Sequence, residues 1–387
     1  MAVTLLVAGL TDVGIVRTNN EDAFVVADLD RDTKADVAKA TEFDVKDKGM
    51  LLAVSDGMGG EAAGEVASGL VIETLRRVLA TATASDEASN SGIAKAVEHA
   101  VTRANEAVWK EAKNPDKKGM GATLTAVYVQ GDTAYIAEVG DSRAYLVRGS
   151  RIRQMTKDQS FVQLLLDSGA LTKEEAEAYP HKNIILQAMG QQEKVSVALG
   201  KLALRRSDRL LICSDGLSNK VTPDEMKEAV LTGEPLDVVC KKLVALANER
   251  GGEDNCTVIL AQAEGPGLQP FRDAERVTQT FEVVKEGPGA PDDDKKAKKK
   301  AAAAPAPAPA PAPPPKADEP KDAKPEELTA EATAMPEPEE EKDDDDKPLP
   351  EPKPPTEEEL KSRPQQMLVA VAMILIMLGV FYYILKD

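Results

Sequence analysis

The distribution of proline limits what this chain can fold into more than any other feature. Of its 25 prolines only Pro115, Pro180, Pro223 and Pro235 precede residue 265, and all the others fall between Pro266 and Pro364. Proline removes a backbone donor and fixes φ, so a segment dense in it builds neither helix interiors nor central strands. Regular structure is therefore expected in residues 1–264, as one folded domain with its own core. Residues 265–366 read as a disordered linker: 301–315 alternate Ala and Pro, 295–300 are lysine-rich, and 337–359 are proline-laced acid.

Beyond the linker, residues 367–385 (MLVAVAMILIMLGVFYYIL) are apolar and uncharged. As a helix, about 19 residues span roughly 28 Å, the thickness of a bilayer core. Lys361 and Arg363 flank the run on its N-terminal side, while Lys386 and Asp387 cancel on the other. The positive-inside rule then predicts a transmembrane helix serving as a single-pass tail anchor, with the large domain cytoplasmic. The first residues, Met1 to Leu5, carry no basic segment, so no secretory signal is expected. A formal net charge of −18, with acid in excess on both sides of residue 265, argues against a nucleic-acid partner. Cys213, Cys240 and Cys256 each sit in an apolar segment, which suits core thiols in a reducing compartment.

Within residues 1–264, short β-rich runs at 22–28, 50–54, 122–129, 133–139, 144–147, 195–199, 209–213 and 256–261 read as strands. Gly131-Asp132, Gly140-Asp141 and Gly149-Ser150 supply tight turns between consecutive runs, which implies antiparallel sheet. Apolar residues recur at helical spacing over 64–80 and 93–112, and further helices are expected to start at Pro223, after Thr222, and at Pro235. Long helices beside hairpin-linked strands predict a layered α+β domain.

Two segments share one design, LLAVSDG (51–57) and LLICSDG (210–216): a buried strand that ends in Ser-Asp-Gly. Each places a carboxylate at the lip of a sheet, beside a glycine whose backbone can approach closely. Asp22 precedes the strand at 23, Asp141 lies in the turn after 139, and Asp254 precedes the strand at 256. Five aspartates on one sheet rim repel strongly unless cations lie between them. Hard oxygen donors select Mg²⁺ or Mn²⁺ over Zn²⁺, and the two histidines, His99 and His181, stand outside these motifs. A cysteine-nucleophile phosphatase needs an arginine six residues after its cysteine, where this chain has Asn219, Leu246 and Gln262.

Seven blocks in order, among them GLTDVGIVRTNNEDAF (9–24), LLAVSDGMGGEAAGEVAS (51–68), AEVGDSRAYLVR (137–148), DRLLICSDGLSN (208–219) and GGEDNCTVIL (251–260), resemble the protein phosphatase 2C type of metal-dependent serine/threonine phosphatase in its bacterial form. The resemblance covers about the first 262 residues. It implies a four-layer αββα sandwich of two antiparallel sheets flanked by helices, and hydrolysis of phosphoserine and phosphothreonine in proteins, opposing serine/threonine kinases at a membrane. It also implies roles. Asp56 would bridge two metals (Mn²⁺ or Mg²⁺), with Asp215 and Asp254 completing one shell and Asp22 and the Gly57 carbonyl the other, Glu21 helping through water. Asp141 would hold a third, weaker ion with Asp215, Arg17 would grip phosphate, and Asn255 and Ser142 would orient carboxylates. Residues 156–188 resemble the family's flap beside the site. Two departures stand out: Glu61 and Gln159 occupy places where bacterial members commonly carry histidine. The leaving oxygen would then take its proton from metal-bound water or from Glu61. The rival expectation, a catalytically weak phosphoprotein-binding module, predicts missing acids, and none of the five is missing.

Overall fold

The computed structural model describes residues 2–59, 63–81, 90–177, 179, 184–272 and 280–284. Among these, two antiparallel sheets pack face to face. One contains β1 (Val3–Asp12), β4 (Thr41–Val45), β9 (Arg143–Arg148), β10 (Arg151–Gln154), β12 (Arg209–Cys213) and β13 (Cys256–Glu264), in the order β10-β9-β12-β13-β1-β4. The other contains β2 (Asp22–Asp28), β3 (Thr33–Lys34), β5 (Met50–Met58), β7 (Leu124–Gln130), β8 (Thr133–Val139), β11 (Val197–Ala203) and β14 (Thr280–Val284), in the order β14-β11-β8-β7-β5-β2-β3, with β6 (Gly121–Ala122) paired to β5. The helices are α1 (Ala63–Thr81), α2 (Asn90–Glu111), α3 (Phe161–Asp167), α4 (Lys173–Glu177), α5 (Asp215–Ser218), α6 (Pro223–Leu231) and α7 (Leu236–Glu249).

Three apolar cores separate four layers. Leu5, Val7, Leu52, Val127, Ile212 and Ile259 interdigitate between the sheets. Leu51, Tyr128 and Ala137 face α1 and α2 through Leu75 and Val101, and Leu211 and Leu260 face α6 and α7 through Met226 and Leu243. Neighbouring residues such as Leu51 and Leu52 enter different cores because strand side chains alternate. A strand covered on both faces therefore reads as an unbroken apolar run. Each fully buried leucine or valine contributes about 1.5–3 kcal/mol, so the inner strands form the rigid part of the scaffold.

The expected turns have the geometry their sequences favour. Gly131 links β7 to β8 at φ 58°, in the left-handed region that a tight hairpin needs at its first loop position, and Gly149 repeats this between β9 and β10. Thr222 and Glu225 form a reciprocal capping box at the start of α6, with Pro223 in its first turn.

Several expectations are corrected. β1, unassigned from sequence, is an interior strand between β13 and β4 with apolar residues on both faces (Leu5 and Val7 on one, Leu6 and Ala8 on the other), so its sequence shows no polar–apolar alternation. β5 runs through Met58, which puts Asp56 inside a strand and not beyond its end. Asp215 opens the short helix α5. The folded chain also continues past the expected boundary at 264: Leu268 is buried, Gly267 N–H donates to the Ala2 carbonyl, and β14 extends the second sheet from β11. Most of the expected linker and the whole apolar run at 367–385 lie outside the described residues, among which no helix is long and apolar enough to cross a membrane.

Candidate metal centre

The five aspartates do not share one sheet rim, as the sequence suggested; the two sheets bring them together at a common edge. Asp22 and Asp56 are direct partners in the β2–β5 register. Asp141 sits in the turn that crosses from β8 in one sheet to β9 in the other, and Asp215 and Asp254 flank β12 and β13. The charges of Asp22, Asp215, Asp141 and Asp254 all act on Asp56, whose carboxyl is driven well above the usual range, by burial first and then by these neighbours. Burial likewise pushes Asp22 up to about 7 and Asp141 up to about 8, with Asp215 adding to both. Asp215 is raised by burial and by Asp254, and it lies within hydrogen-bonding range of Asp56, a contact that two ionised carboxylates cannot make without a shared proton or cation.

Backbone and hydroxyl groups hold these acids from behind. Asp22 Oδ2 accepts from Ser214 Oγ (2.8 Å) and Thr257 Oγ1 (2.6 Å). Asp56 N–H donates to Thr123 Oγ1 (3.0 Å), which is 2.7 Å from Ser142 Oγ. Ser142 thus reaches Asp56 through Thr123. Asn255 Oδ1 accepts from Glu21 N–H (2.8 Å), and its Nδ2 donates to the Val13 and Asn19 carbonyls (2.9 Å each), which pins the 13–21 loop against β13. Gly57 N–H donates to the Glu21 carbonyl (3.1 Å), and a Cβ on Gly57 would collide with the Gly64 carbonyl oxygen at the start of α1. Burial pushes the Glu21 carboxyl up, opposed by Arg17.

Arg17 is half exposed and forks onto Asp254: Nε lies 3.1 Å from Oδ1 and Nη2 donates to Oδ2 (3.1 Å), while Nε also reaches the Glu253 carbonyl (3.3 Å). This is the one cation in direct contact with any of the five acids among the described residues.

The donor set fits hard divalent cations. Asp22 Oδ1, Asp141 Oδ1 and Asp215 Oδ1 are buried and accept no hydrogen bond, a costly condition for a carboxylate oxygen unless a cation satisfies it. No three acids among the described residues close tightly enough around one point to form a finished coordination shell by themselves.

A family model described as protein phosphatase 2C matches residues 36–244. The chain belongs to the protein phosphatase 2C family of serine/threonine protein phosphatases. Among its relatives, the serine/threonine phosphatase stp of Listeria innocua is 37% identical over 265 residues, which cover 68% of this chain and 97% of that protein. The serine/threonine protein phosphatase PstP of Mycobacterium tuberculosis is 37% identical over 262 residues, 67% of this chain but only 45% of PstP, so the match spans about half of that longer protein. The PstP catalytic domain solved in complex with two manganese ions superposes with a TM-score of 0.56 at 35% identity, covering 68% of this chain and all of that one.

Sequence reasoning missed Thr123, Ser214 and Thr257, the hydroxyls that hold Asp56 and Asp22. The signal was present for two of them, since Ser214 precedes Asp215 and Thr257 follows Asn255 by two. Thr123 lies between β6 and β7, far from Asp56 in sequence, and only the fold brings it in. The 61–62 pair and His181 lie outside the described residues, so Glu61 has no described position.

Proposed function

We propose that this chain hydrolyses phosphoserine and phosphothreonine in proteins with Mn²⁺ or Mg²⁺, acting at the cytoplasmic face of a membrane. The observation that carries the reading is the convergence of Asp22, Asp56, Asp141, Asp215 and Asp254, with three buried oxygens lacking partners, beside the guanidinium of Arg17. Asp56 lies at the middle of the cluster and suits a ligand shared by two ions; Asp215 and Asp254 would serve one, Asp22 and the Gly57 carbonyl the other, with Glu21 at the margin. Asp141 and Asp215 would hold a third, weaker ion. Bound cations supply the acidity that ionises water near neutral pH and the positive charge that draws phosphoryl oxygens. The chain's own residues do the rest. Ser214 and Thr257 orient Asp22, while Thr123 and Ser142 fix the backbone at Asp56. Arg17, released from Asp254, presents a planar fork to the non-bridging oxygens of the phosphate. The relatives' names support protein substrates, and the PstP complex with two manganese ions supports the metal class.

The test is Mn²⁺-dependent hydrolysis of an aryl phosphate and a phosphothreonine peptide by the purified full-length chain. Activity that survives chelator, or that Asp56→Asn leaves intact, sinks the proposal. The scaffold alternative predicts missing acids, and the sequence carries all five.

The membrane address rests on residues 367–385 and their flanking charges. Opposition to membrane serine/threonine kinases is proposed by analogy with the family. Ending the chain before Met367 is expected to move the protein from the membrane to the soluble fraction with unchanged specific activity; a protein that fractionates as before would refute the anchor.

A further inference from the structure

Gln159, which replaces an expected histidine, lies at a joint. Its backbone N–H donates to the Gly140 carbonyl and its own carbonyl accepts from Leu186 N–H, each at 2.8 Å. Its side-chain Oε1 accepts from Gly140 N–H (3.0 Å) and from Gln187 Nε2 (2.8 Å), and its Nε2 points to the Glu138 carbonyl (3.4 Å). Gln187 in turn brackets Ser196, donating to its carbonyl (2.7 Å) and accepting from its N–H (2.9 Å). Two neighbouring contacts reinforce the joint. Glu138 Oε2 accepts from Lys157 N–H (2.9 Å), and Arg143 clamps the Asp158 carboxylate with Nε at 2.9 and 3.0 Å and Nη2 at 2.5 Å.

Residues 157–159, where the chain enters the 160–185 segment, are thus fastened to 138–143, the stretch that carries Asp141, and 186–187, where it leaves, are fastened to Gln159. Only an amide does this with one side chain. Its carbonyl oxygen has two lone pairs for two donors while its NH₂ still donates, whereas a neutral imidazole has one acceptor and one donor. The fastened segment presents Leu164, Ile184 and Leu186 to solvent as exposed apolar side chains. Large apolar groups in the open beside a candidate active site suit contact with a protein substrate.

We propose that Gln159 is a positioning residue for protein substrates: with Gln187 it locks both ends of the 160–185 segment to the Gly140-Asp141 turn, and so sets where Leu164, Ile184 and Leu186 meet the substrate. This rests on the hydrolase reading above. A small aryl phosphate makes no use of that surface, so the two substrate classes separate the positioning role from damage to the metal centre.

The experiment compares wild type, Gln159→Leu, Gln187→Leu and the double variant, full-length and with Mn²⁺, on a phosphothreonine peptide and on an aryl phosphate. Backbone hydrogen exchange at Gly140 and Leu186 is read in parallel. Each single change is expected to raise KM for the peptide about fivefold, the factor that loss of one or two hydrogen bonds carries, with aryl phosphate kcat/KM within about twofold. The double variant is expected to be no worse than either single one, because both break the same joint. Exchange at Gly140 and Leu186 should accelerate in Gln159→Leu. Equal losses on both substrates, unchanged peptide KM, additive effects or unchanged exchange each overturn the proposal. If wild type hydrolyses neither substrate, the hydrolase reading fails, and the exchange data alone still decide whether Gln159 holds the joint.

Discussion

Replacing Asp22 with asparagine is expected to stabilise the protein in chelator while weakening its response to metal, and the magnitude follows from the site. The folded-state pKa of Asp22 is raised from 3.8 to about 7, mainly by burial, with Asp215 and Asp254 adding repulsion. A carboxylate whose pKa is raised on folding favours the folded state least once it is ionised. The cost begins as pH rises past 3.8 and is complete above about 7. At 1.36 kcal/mol per pKa unit, ionised Asp22 costs on the order of 4 kcal/mol at pH 8 and about 1 kcal/mol at pH 4.5. Asparagine carries no charge and keeps an acceptor for Ser214 and Thr257, so the hydrogen bonds at 2.8 and 2.6 Å survive. Its amide nitrogen takes the place of the unpartnered Oδ1, where the charges of Asp215 and Asp254 act. A gain of about 2–4 kcal/mol at pH 8 corresponds to a Tm higher by roughly 4–16 °C for a domain of this size. Calorimetry in chelator at pH 4.5, 6 and 8 should show the variant pulling ahead as pH rises. Added Mn²⁺ should then raise the wild-type Tm more than the variant's, because ligand binding to the native state adds stability by mass action. A variant less stable than wild type at pH 8 in chelator, or a difference independent of pH, would refute the account of a repulsive acid cluster.

Arg17→Ala is expected to raise KM for aryl phosphate about tenfold, with Arg17→Lys recovering only part, because an ammonium lacks the planar fork. Its effect on Tm should be small, since the Arg17–Asp254 pair is partly exposed and screened by solvent; a Tm drop comparable to a core mutation would make Arg17 a structural residue. Gly57→Ala should cost about 3 kcal/mol and impair activity, since a Cβ there meets the Gly64 backbone oxygen, which no side-chain rotation relieves; an unchanged melting curve would contradict the close approach.

Local signals carried much of the fold. Leu236–Glu249 and Ala63–Thr81 are helices where apolar spacing predicted them, and β2, β8 and β12 have the bounds read from sequence. Interior strands were harder. β1 touches the inter-sheet core through Leu5 and Val7 and the helical layer through Ala8, so it lacks the alternation that marks a half-buried strand. The chain after residue 264 was misjudged because β14 is a five-residue strand in a proline-containing stretch, and composition averages over such short elements. At the site, the acids announced themselves through Ser-Asp-Gly and the strand-edge positions, whereas Thr123 did not, since nothing local distinguishes a threonine in a β-rich run from one that holds Asp56.

By itself the sequence determined the class of chemistry: five acids at turns and strand edges, only two histidines and no cysteine-arginine pairing leave hard cations as the natural partners. Tertiary structure alone decided that Asp22 and Asp56 come from one sheet and Asp215 and Asp254 flank strands of the other, that Asp141 lies on the crossover between them, and that Gln159 and Gln187 meet across 28 residues. The physical reason is that residue type sets what a side chain can bind. Which side chains share a site depends on strand register and sheet packing, long-range terms that no local window contains.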